Sequence, residues 1–488
     1  MLFRTIYDDS LAQAAYLIGC QKTGEALVID PERDVERYID AAAREGLRIT
    51  HIAETHIHAD FLSGARELAE RTGARLHLSA EGGPDWNYRW LDSKVGGGSY
   101  KRQILSDGDT FAVGAIRIQA LHTPGHTPEH MSYLVTDLGG GADEPMGIVT
   151  GDFVFVGDVG RPDLLESAAG MEGAADPAAR KLYTSLRIFD ALPEHLQVWP
   201  GHGAGSACGK ALGAVPQSTV GYEKRFNTPL VAARGEEAIF VESIIEGQPE
   251  PPPYFARMKA ENREGPAVLG GMPRPKKTLP PSIDVNDRNV VVIDTRPWDA
   301  FRAGHLARSL HVPLGRTITT IAGSYIDPGM TIYLIVDDDR VADVVAPLIR
   351  IGLDTIKGYV TPDEVTAYGN AGGELSTITE IDMTRFAETI RTSRPTILDV
   401  RNSSEFREGH VAGATNVAHT RLAPSVDRIP EADPLYVHCK SGARSAAAAA
   451  WLQRMGRTVV SARGDFSTLT TLLDPAFIET SSTEVVTG

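Results

Sequence analysis

Through its first half the chain alternates short apolar runs with polar loops. The runs are "AAYLIG" from Ala14, "EALVID" from Glu25, "ITHIAETH" from Ile49, "IRIQALHT" from Ile116, "MSYLVTD" from Met131, "MGIVTGDFVFVG" from Met146 and "LQVWPGHG" from Leu196. Runs of this length, rich in β-branched and aromatic residues and closed by Gly, Pro or Asp, predict strands. Between them, Val35–Glu45 and Leu62–Thr72 space their apolar residues three and four apart, which predicts helices. Residues 1–245 read as one layered domain, α/β or α+β in class. The Pro-rich stretch "GQPEPPPYFARMKAENREGPAVLGGMPRPKKTLPP" follows from Gly247, and predicts a connector over 246–280 with at most one short helix.

The second half repeats itself. "VVVIDTRPWDAFRAGHLARSLHVPL" (Val290–Leu314) matches "TILDVRNSSEFREGHVAGATNVAH" (Thr396–His419) at a shift of 105, pairing Asp294 with Asp399, Arg296 with Arg401, Phe301 with Phe406 and Gly304-His305 with Gly409-His410. Agreement over so many positions marks two copies of one small domain, expected over 281–373 and 374–488. Each copy reads strand, turn, helix, strand, helix, which suits a small parallel sheet covered by helices.

The length of 488 residues fits about three domains. A formal net charge of −16 argues against nucleic acid or an anionic membrane as partner, because "RPKK" at Arg274–Lys277 is too short and Pro-flanked to make a basic patch. Cys20, Cys208 and Cys439 lie far apart and form no C-x-x-C pair, the usage of a reducing compartment. Near the start, "LIGC" ending at Cys20 looks like the end of a lipoprotein signal, but Asp8, Asp9 and Gln13 interrupt the basic and apolar regions that such a signal needs. No run of about 18 apolar residues occurs, so a cytoplasmic protein is expected.

Four segments place ligand-type residues at the ends of apolar runs: "THIHADF" with His56, His58 and Asp60, "TPGHTPEH" with His126, "VTGDF" with Asp152, and "WPGHG" with His202. A sheet delivers side chains to one edge in this way, and together the residues predict a metal site. His-x-His-x-Asp, Pro-Gly-His-Thr, Thr-Gly-Asp and Pro-Gly-His, in this order, resemble the metallo-β-lactamase superfamily across residues 1–245. The resemblance implies a sandwich of two mixed sheets flanked by helices. Glyoxalase II-like members carry a further ligand where this chain has Phe61, and hold two metals. Persulfide dioxygenases hold one iron through the first His of the first motif, the Pro-Gly-His and the Thr-Gly-Asp. Carried over, the ligands are His56, His126 and Asp152 around one Fe(II) per chain, with zinc as the alternative. His58, Asp60 and His202 would stand behind them, orienting ligands or water. Arg161, Tyr183 and Lys224 lie in segments resembling the family's substrate loops and could grip a carboxylate or phosphate. Cys20 and Cys208 are open between a role near the metal and ordinary burial.

In the second copy, "YVHCKSGARSAAAAAWLQRMG" ends a strand at Cys439, turns through Lys440, Ser441, Gly442 and Ala443 to Arg444, and starts a helix. Backbone N–H groups, a helix N-terminus and two cations around a cysteine favour the thiolate and prime it as a nucleophile. Loop and upstream motif resemble single-domain rhodaneses; the longer loop of tyrosine phosphatases does not fit. "ARGDFSTL" departs from that family's usual paired glycines at Asp465. The first copy offers "TIYLIVDDDRVADVV", without cysteine, and is expected to be an inactive spacer.

The whole therefore resembles a multidomain α/β fusion, a metallo-β-lactamase αββα sandwich followed by two small α/β rhodanese domains. That implies a persulfide dioxygenase, acting on a thiol persulfide, dioxygen and water to give sulfite, joined to a thiosulfate sulfurtransferase in a homo-oligomer, dimer or tetramer. Two alternatives stay open: a dizinc thioester hydrolase fused to a sulfurtransferase, and a non-catalytic sulfur carrier or sensor.

Overall fold

The computed structural model describes residues 1–168 and 170–480; residues 481–488 of the expected second copy lie outside the described residues. It divides into two compact units, Met1–Met272 with Ile349–Gly352, and Pro273–Leu348 with the chain from Leu353 on. No helix among the described residues is long and apolar enough to cross a membrane.

Unit 1 is built on two mixed six-stranded sheets. The first runs in chain order through β1 (Leu2–Asp8), β2 (Gln13–Cys20), β3 (Glu25–Ile29), β4 (Arg48–Ala53), β5 (Arg75–Ser79) and β6 (Arg102–Leu105), antiparallel up to β3 and parallel beyond it. The second comprises β7 (Thr110–Val113), β8 (Ile116–His122), β9 (Met131–Asp137), β10 (Gly147–Gly151), β11 (Gln197–Pro200) and β12 (Ser218–Thr219), in reverse order across the sheet; only β10 and β11 pair in parallel.

Strand β2 shows why its run is apolar without interruption. Ala14, Tyr16 and Ile18 face the second sheet and pack with Val113, Ile118 and Tyr133. Ala15 and Leu17 point the other way, into a cluster with Tyr38, Ala42 and Leu68 of the helices Glu36–Arg44 and Ala65–Thr72. A strand buried on both faces needs apolar residues at every position. The second sheet is covered likewise: Ile148 and Val198 meet Leu182, Leu186 and Phe240 of the helices Ala175–Ala191 and Glu237–Ile245. The layers are helix, sheet, sheet, helix. All four expected ligand segments leave strand ends: β4, β8, β10 and β11.

The Pro-rich stretch departs from the expected connector. Its helix Phe255–Glu264 belongs to unit 1, with Phe255 and Met258 buried. Lys276–Lys277 already pairs as an edge strand in unit 2. Proline sets the boundaries of these pieces, but apolar residues between the prolines decide where they pack.

Unit 2 contains two parallel five-stranded sheets of matching order. One reads Lys276–Lys277, Ile356–Val360, Thr331–Ile335, Val290–Asp294, Leu310–His311; the other reads Thr379–Asp382, Val459–Arg463, Leu435–His438, Ile397–Asp399, Thr415–Asn416. The repeated residues do the same work in each. Arg296 donates to Asp294 at 2.6 Å and to the Gly304 carbonyl at 2.9 Å; Arg401 donates to Asp399 at 2.6 Å and to the Gly409 carbonyl at 2.7 Å. His305 and His410 each sit 2.8 Å from the carbonyl four residues back. These buried bonds pin the turn between strand and helix, so the repeat in sequence is a repeat of scaffold.

Candidate metal centre and sulfur-transfer loop

His56, His126 and Asp152 come together, each offering one ligand atom within 4.8 Å of the others, and all three are buried. Hydrogen bonds fix which nitrogen of each imidazole is free. Thr55 uses its single hydroxyl proton on Asp30 at 2.8 Å, so its oxygen accepts from His56 Nδ1 at 2.9 Å and leaves a lone pair on Nε2. His126 Nδ1 donates to the Arg161 carbonyl at 3.0 Å, with the same result. His56 Nε2 and both Asp152 carboxylate oxygens have no hydrogen-bond partner although buried. Burial, with the neighbouring imidazoles, pushes His56 well below the usual histidine range, and burial pulls His126 down to about 4. Both shifts favour the neutral ring, the form that a metal ligand takes. Burial also raises Asp152, to about 6, and a bound cation would favour its charged form. Converging, orphaned donors of this kind fit a divalent cation.

Two glycine-dependent approaches bring the ligands in. Gly151 turns through φ +48°, and a Cβ there would lie 2.6 Å from Thr55 Oγ1 and 2.8 Å from His130 Nε2. The same His130 accepts the Asp152 N–H at 3.1 Å, which aims the carboxylate. Neither contact has a sequence signal, since "TPEH" carries no motif spacing of its own.

The residues expected behind the ligands divide in two. His58 turns away from the cluster, its Nε2 3.3 Å from Asp30 and 3.8 Å from Glu54; burial opposes its charge, but these carboxylates win and push it up to about 9. Phe61, fully buried, packs against it with ring centroids 4.3 Å apart and the planes tilted by 32°. Asp60 and His202 lie 3.4 Å apart and form a second group with Cys208, while His202 also reaches Asp152 at 3.4 Å. Burial, then the Asp60 and Asp152 carboxylates, keep the Cys208 thiol protonated. Cys20 takes the ordinary course: it is buried in the inter-sheet core, its sulfur accepting the Ala115 N–H at 3.3 Å.

Asn262 was not legible as a site residue. From helix Phe255–Glu264 it donates to the His58 and Phe61 carbonyls at 2.8 Å each and accepts from Ser63 N–H at 2.8 Å, clamping the loop that carries His56.

The three expected substrate grips are corrected. Arg161 is 1% exposed, with a two-pronged bond to Asp163 at 2.7 and 2.6 Å and further bonds to the Ala207 and Pro249 carbonyls. Tyr183 donates to the Gly235 carbonyl at 2.8 Å, and Lys224 to the Leu192 carbonyl at 2.6 Å. Loop carbonyls that no strand satisfies have recruited these donors. Arg161→Ala is accordingly expected to cost roughly 3 kcal/mol of stability, because it leaves the Asp163 carboxylate with only the Ser167 hydroxyl and takes the donor from two carbonyls. Chemical denaturation checks this; a raised KM at unchanged stability would restore the substrate role.

In unit 2, Cys439 follows the strand Leu435–His438 and is fully buried. Its sulfur accepts the Gly442 N–H at 3.1 Å and lies 3.6 Å from Ser445 Oγ. Gly442 has φ +107°, and a Cβ there would meet Arg463 at 2.8 Å, so the loop closes around the sulfur only with glycine. Arg444 forms a two-pronged bond with Glu405, at 2.5 and 2.8 Å, which explains the glutamate in the upstream motif. Asp465 replaces the paired glycines by capping the next helix, accepting from Ser467 N–H at 2.8 Å. In the first copy, Asp294 pairs with Ile335 as Asp399 pairs with His438, so Val336 occupies the position of Cys439.

The family model described as Metallo-beta-lactamase superfamily matches residues 9–202, and the one described as Rhodanese-like domain matches residues 382–470. A crystal structure of a metallo-beta-lactamase from Staphylococcus aureus subsp. aureus COL is 40% identical, covering 74% of this chain and 99% of that one at a TM-score of 0.65. ETHE1 from Myxococcus xanthus is 28% identical over 55% of this chain and all of its own, at a TM-score of 0.42. A probable metallo-hydrolase of Burkholderia pseudomallei (strain 1710b) is 29% identical, over 41% of this chain and 72% of its own length. The chain spans about half the length, 54%, of a beta-lactamase hydrolase-like protein of Agrobacterium fabrum. With two mixed sheets between helices, ligand-type residues at their strand ends and a rhodanese-like domain later in the sequence, the chain belongs to the metallo-β-lactamase superfamily.

Proposed function

We propose that the protein is a single-iron persulfide dioxygenase joined to a rhodanese sulfurtransferase. The observation that carries this reading is the convergence of two imidazoles and one carboxylate, His56, His126 and Asp152, with Phe61 packed on His58 where a further ligand would be needed. Such a set leaves coordination positions open, and bound Fe(II) would supply redox chemistry and room for both dioxygen and a substrate sulfur. The balanced reaction converts RSSH, O2 and H2O to RSH, sulfite and two protons. In the chain itself, Thr55 and the Arg161 carbonyl hold the two rings in the liganding tautomer, and Asp60 with His202 can hold or pass a proton beside Asp152. Cys439 takes the sulfane sulfur of a low-molecular-weight persulfide and passes it to sulfite: the Cys–S bond breaks, the S–S bond of thiosulfate forms, and the cysteine leaves as thiolate. The chain acts as a homo-oligomer in the cytoplasm, removing sulfide.

The group Asp60, His202 and Cys208 favours a second reading, a two-metal hydrolase. One experiment separates them. Protein loaded with iron is expected to bind one ion per chain and to consume oxygen with a thiol persulfide; two zinc ions per chain, thioester cleavage and no oxygen uptake would select the hydrolase.

A further inference from the structure

The copy without a cysteine faces the sulfur-transfer loop. A cavity of about 330 Å³ opens on Ser441, Gly442, Ala443 and Arg444, and its opposite wall comes from the first copy: Trp298, His311, Pro313, Thr317 and Ile321. We propose that this wall is a binding site for the organic part of the sulfur donor, so that the first copy sets the substrate class of Cys439. The inference rests on the reading of Cys439 as a sulfane-sulfur carrier.

Three observations support it. The first is size: the cavity has room for on the order of ten water-sized groups, far more than an inorganic sulfur oxyanion fills. The second is chemistry. The first-copy side is mostly apolar, whereas the second-copy side carries Arg444 and Arg463, and among the described residues no carboxylate lines the cavity. Each guanidinium is paired on one side, Arg444 with Glu405 and Arg463 with Asp299 at 3.1 Å, and keeps further N–H groups. Burial pulls His311 and His419 down to about 4, so both line the cavity as neutral rings. A ligand with an anionic end and a carbon-bearing end matches this division; a bare oxyanion uses half of it.

The third observation is that the wall is held in place. The Trp298 indole N–H is bonded to Glu380 of the second copy, and its ring meets His311 edge-on with centroids 5.2 Å apart. The Tyr325 hydroxyl donates to the His419 carbonyl at 2.7 Å, and its ring stacks on Trp451 at 5.7 Å. Trp298 thus presents a fixed face. A spacer needs no aromatic residue in such a position.

The step is a thiolate displacement. Cys439 attacks the outer sulfur of RS–SH, the Cys–S bond forms, the donor S–S bond breaks, and RS⁻ leaves with the electron pair. No external oxidant is required. The first copy binds R while this happens, and is a specificity element rather than a catalytic one.

The test uses the full chain with glutathione persulfide and thiosulfate as donors. The initial rate at which Cys439 gains the mass of one sulfur atom is measured for each. Trp298→Ala is expected to lower the ratio of the organic to the inorganic rate about tenfold, the usual worth of a lost apolar contact in a pocket. Trp298→Phe, which keeps a ring in place, should retain most of the ratio and guards against simple misfolding. An unchanged ratio in Trp298→Ala, or an equal fall with both donors, overturns the proposal. If Cys439 of the unaltered protein gains sulfur from neither donor, the carrier reading itself falls, and this inference with it.

Discussion

On the proposed function, His126→Ala is expected to abolish both metal binding and persulfide-dependent oxygen uptake, with a loss of ~10³-fold or more, because the metal and its several kcal/mol of stabilisation leave together. The geometry makes this position decisive. His126 is held by one bond, to the Arg161 carbonyl, and its free nitrogen lies 3.5 Å from Asp152. Alanine removes the donor atom without a substitute nearby, since His202 is already between Asp60 and Asp152 and His58 is engaged by Asp30 and Glu54. Metal analysis and an oxygen electrode check the two halves separately. Oxygen uptake surviving in a metal-free variant would sink the assignment of the site.

Cys439→Ser gives the complementary result: sulfur transfer falls to background while oxygen uptake stays within about twofold, as for independent sites in separate compact units. Serine fits the space, and its oxygen can still accept the Gly442 N–H, so the loop should close as before. It cannot carry sulfane sulfur, because a hydroxyl has no thiolate to attack with. Rhodanese assay and oxygen uptake on one preparation read both activities. If both vanish, the chain acts as a sulfur carrier without a separate oxidative centre.

The positions that carry these two predictions were legible because each sits in a local pattern: His126 follows a strand through Pro-Gly, and Cys439 follows a strand directly and opens a tight loop with Gly442. Layering and the internal repeat were legible for the same reason, since periodicity is a local property. What escaped was held by tertiary contact. Asp30 and Glu54 look like unremarkable acids after strands, yet they turn His58 from the metal cluster. Asn262 lies in a stretch whose prolines suggest a tether. Cys208 stands in a glycine-rich loop with no spacing to tie it to Asp60. Arg161 misled in the other direction. It was expected to grip substrate, but its carbonyl holds His126 while its guanidinium braces the loops. A sequence displays side chains, whereas a backbone oxygen has no letter.

The helix bearing Asn262 also bears on inheritance. The match to the family model ends at residue 202, whereas the three bonds that settle the His56 loop come from a segment well beyond it. A gene fragment copied or cut at the end of the matched span would carry every expected ligand and still lose the brace on the loop that presents the first of them. A piece of this chain that keeps every ligand therefore still needs the helix Phe255–Glu264 to order the loop that presents the first of them.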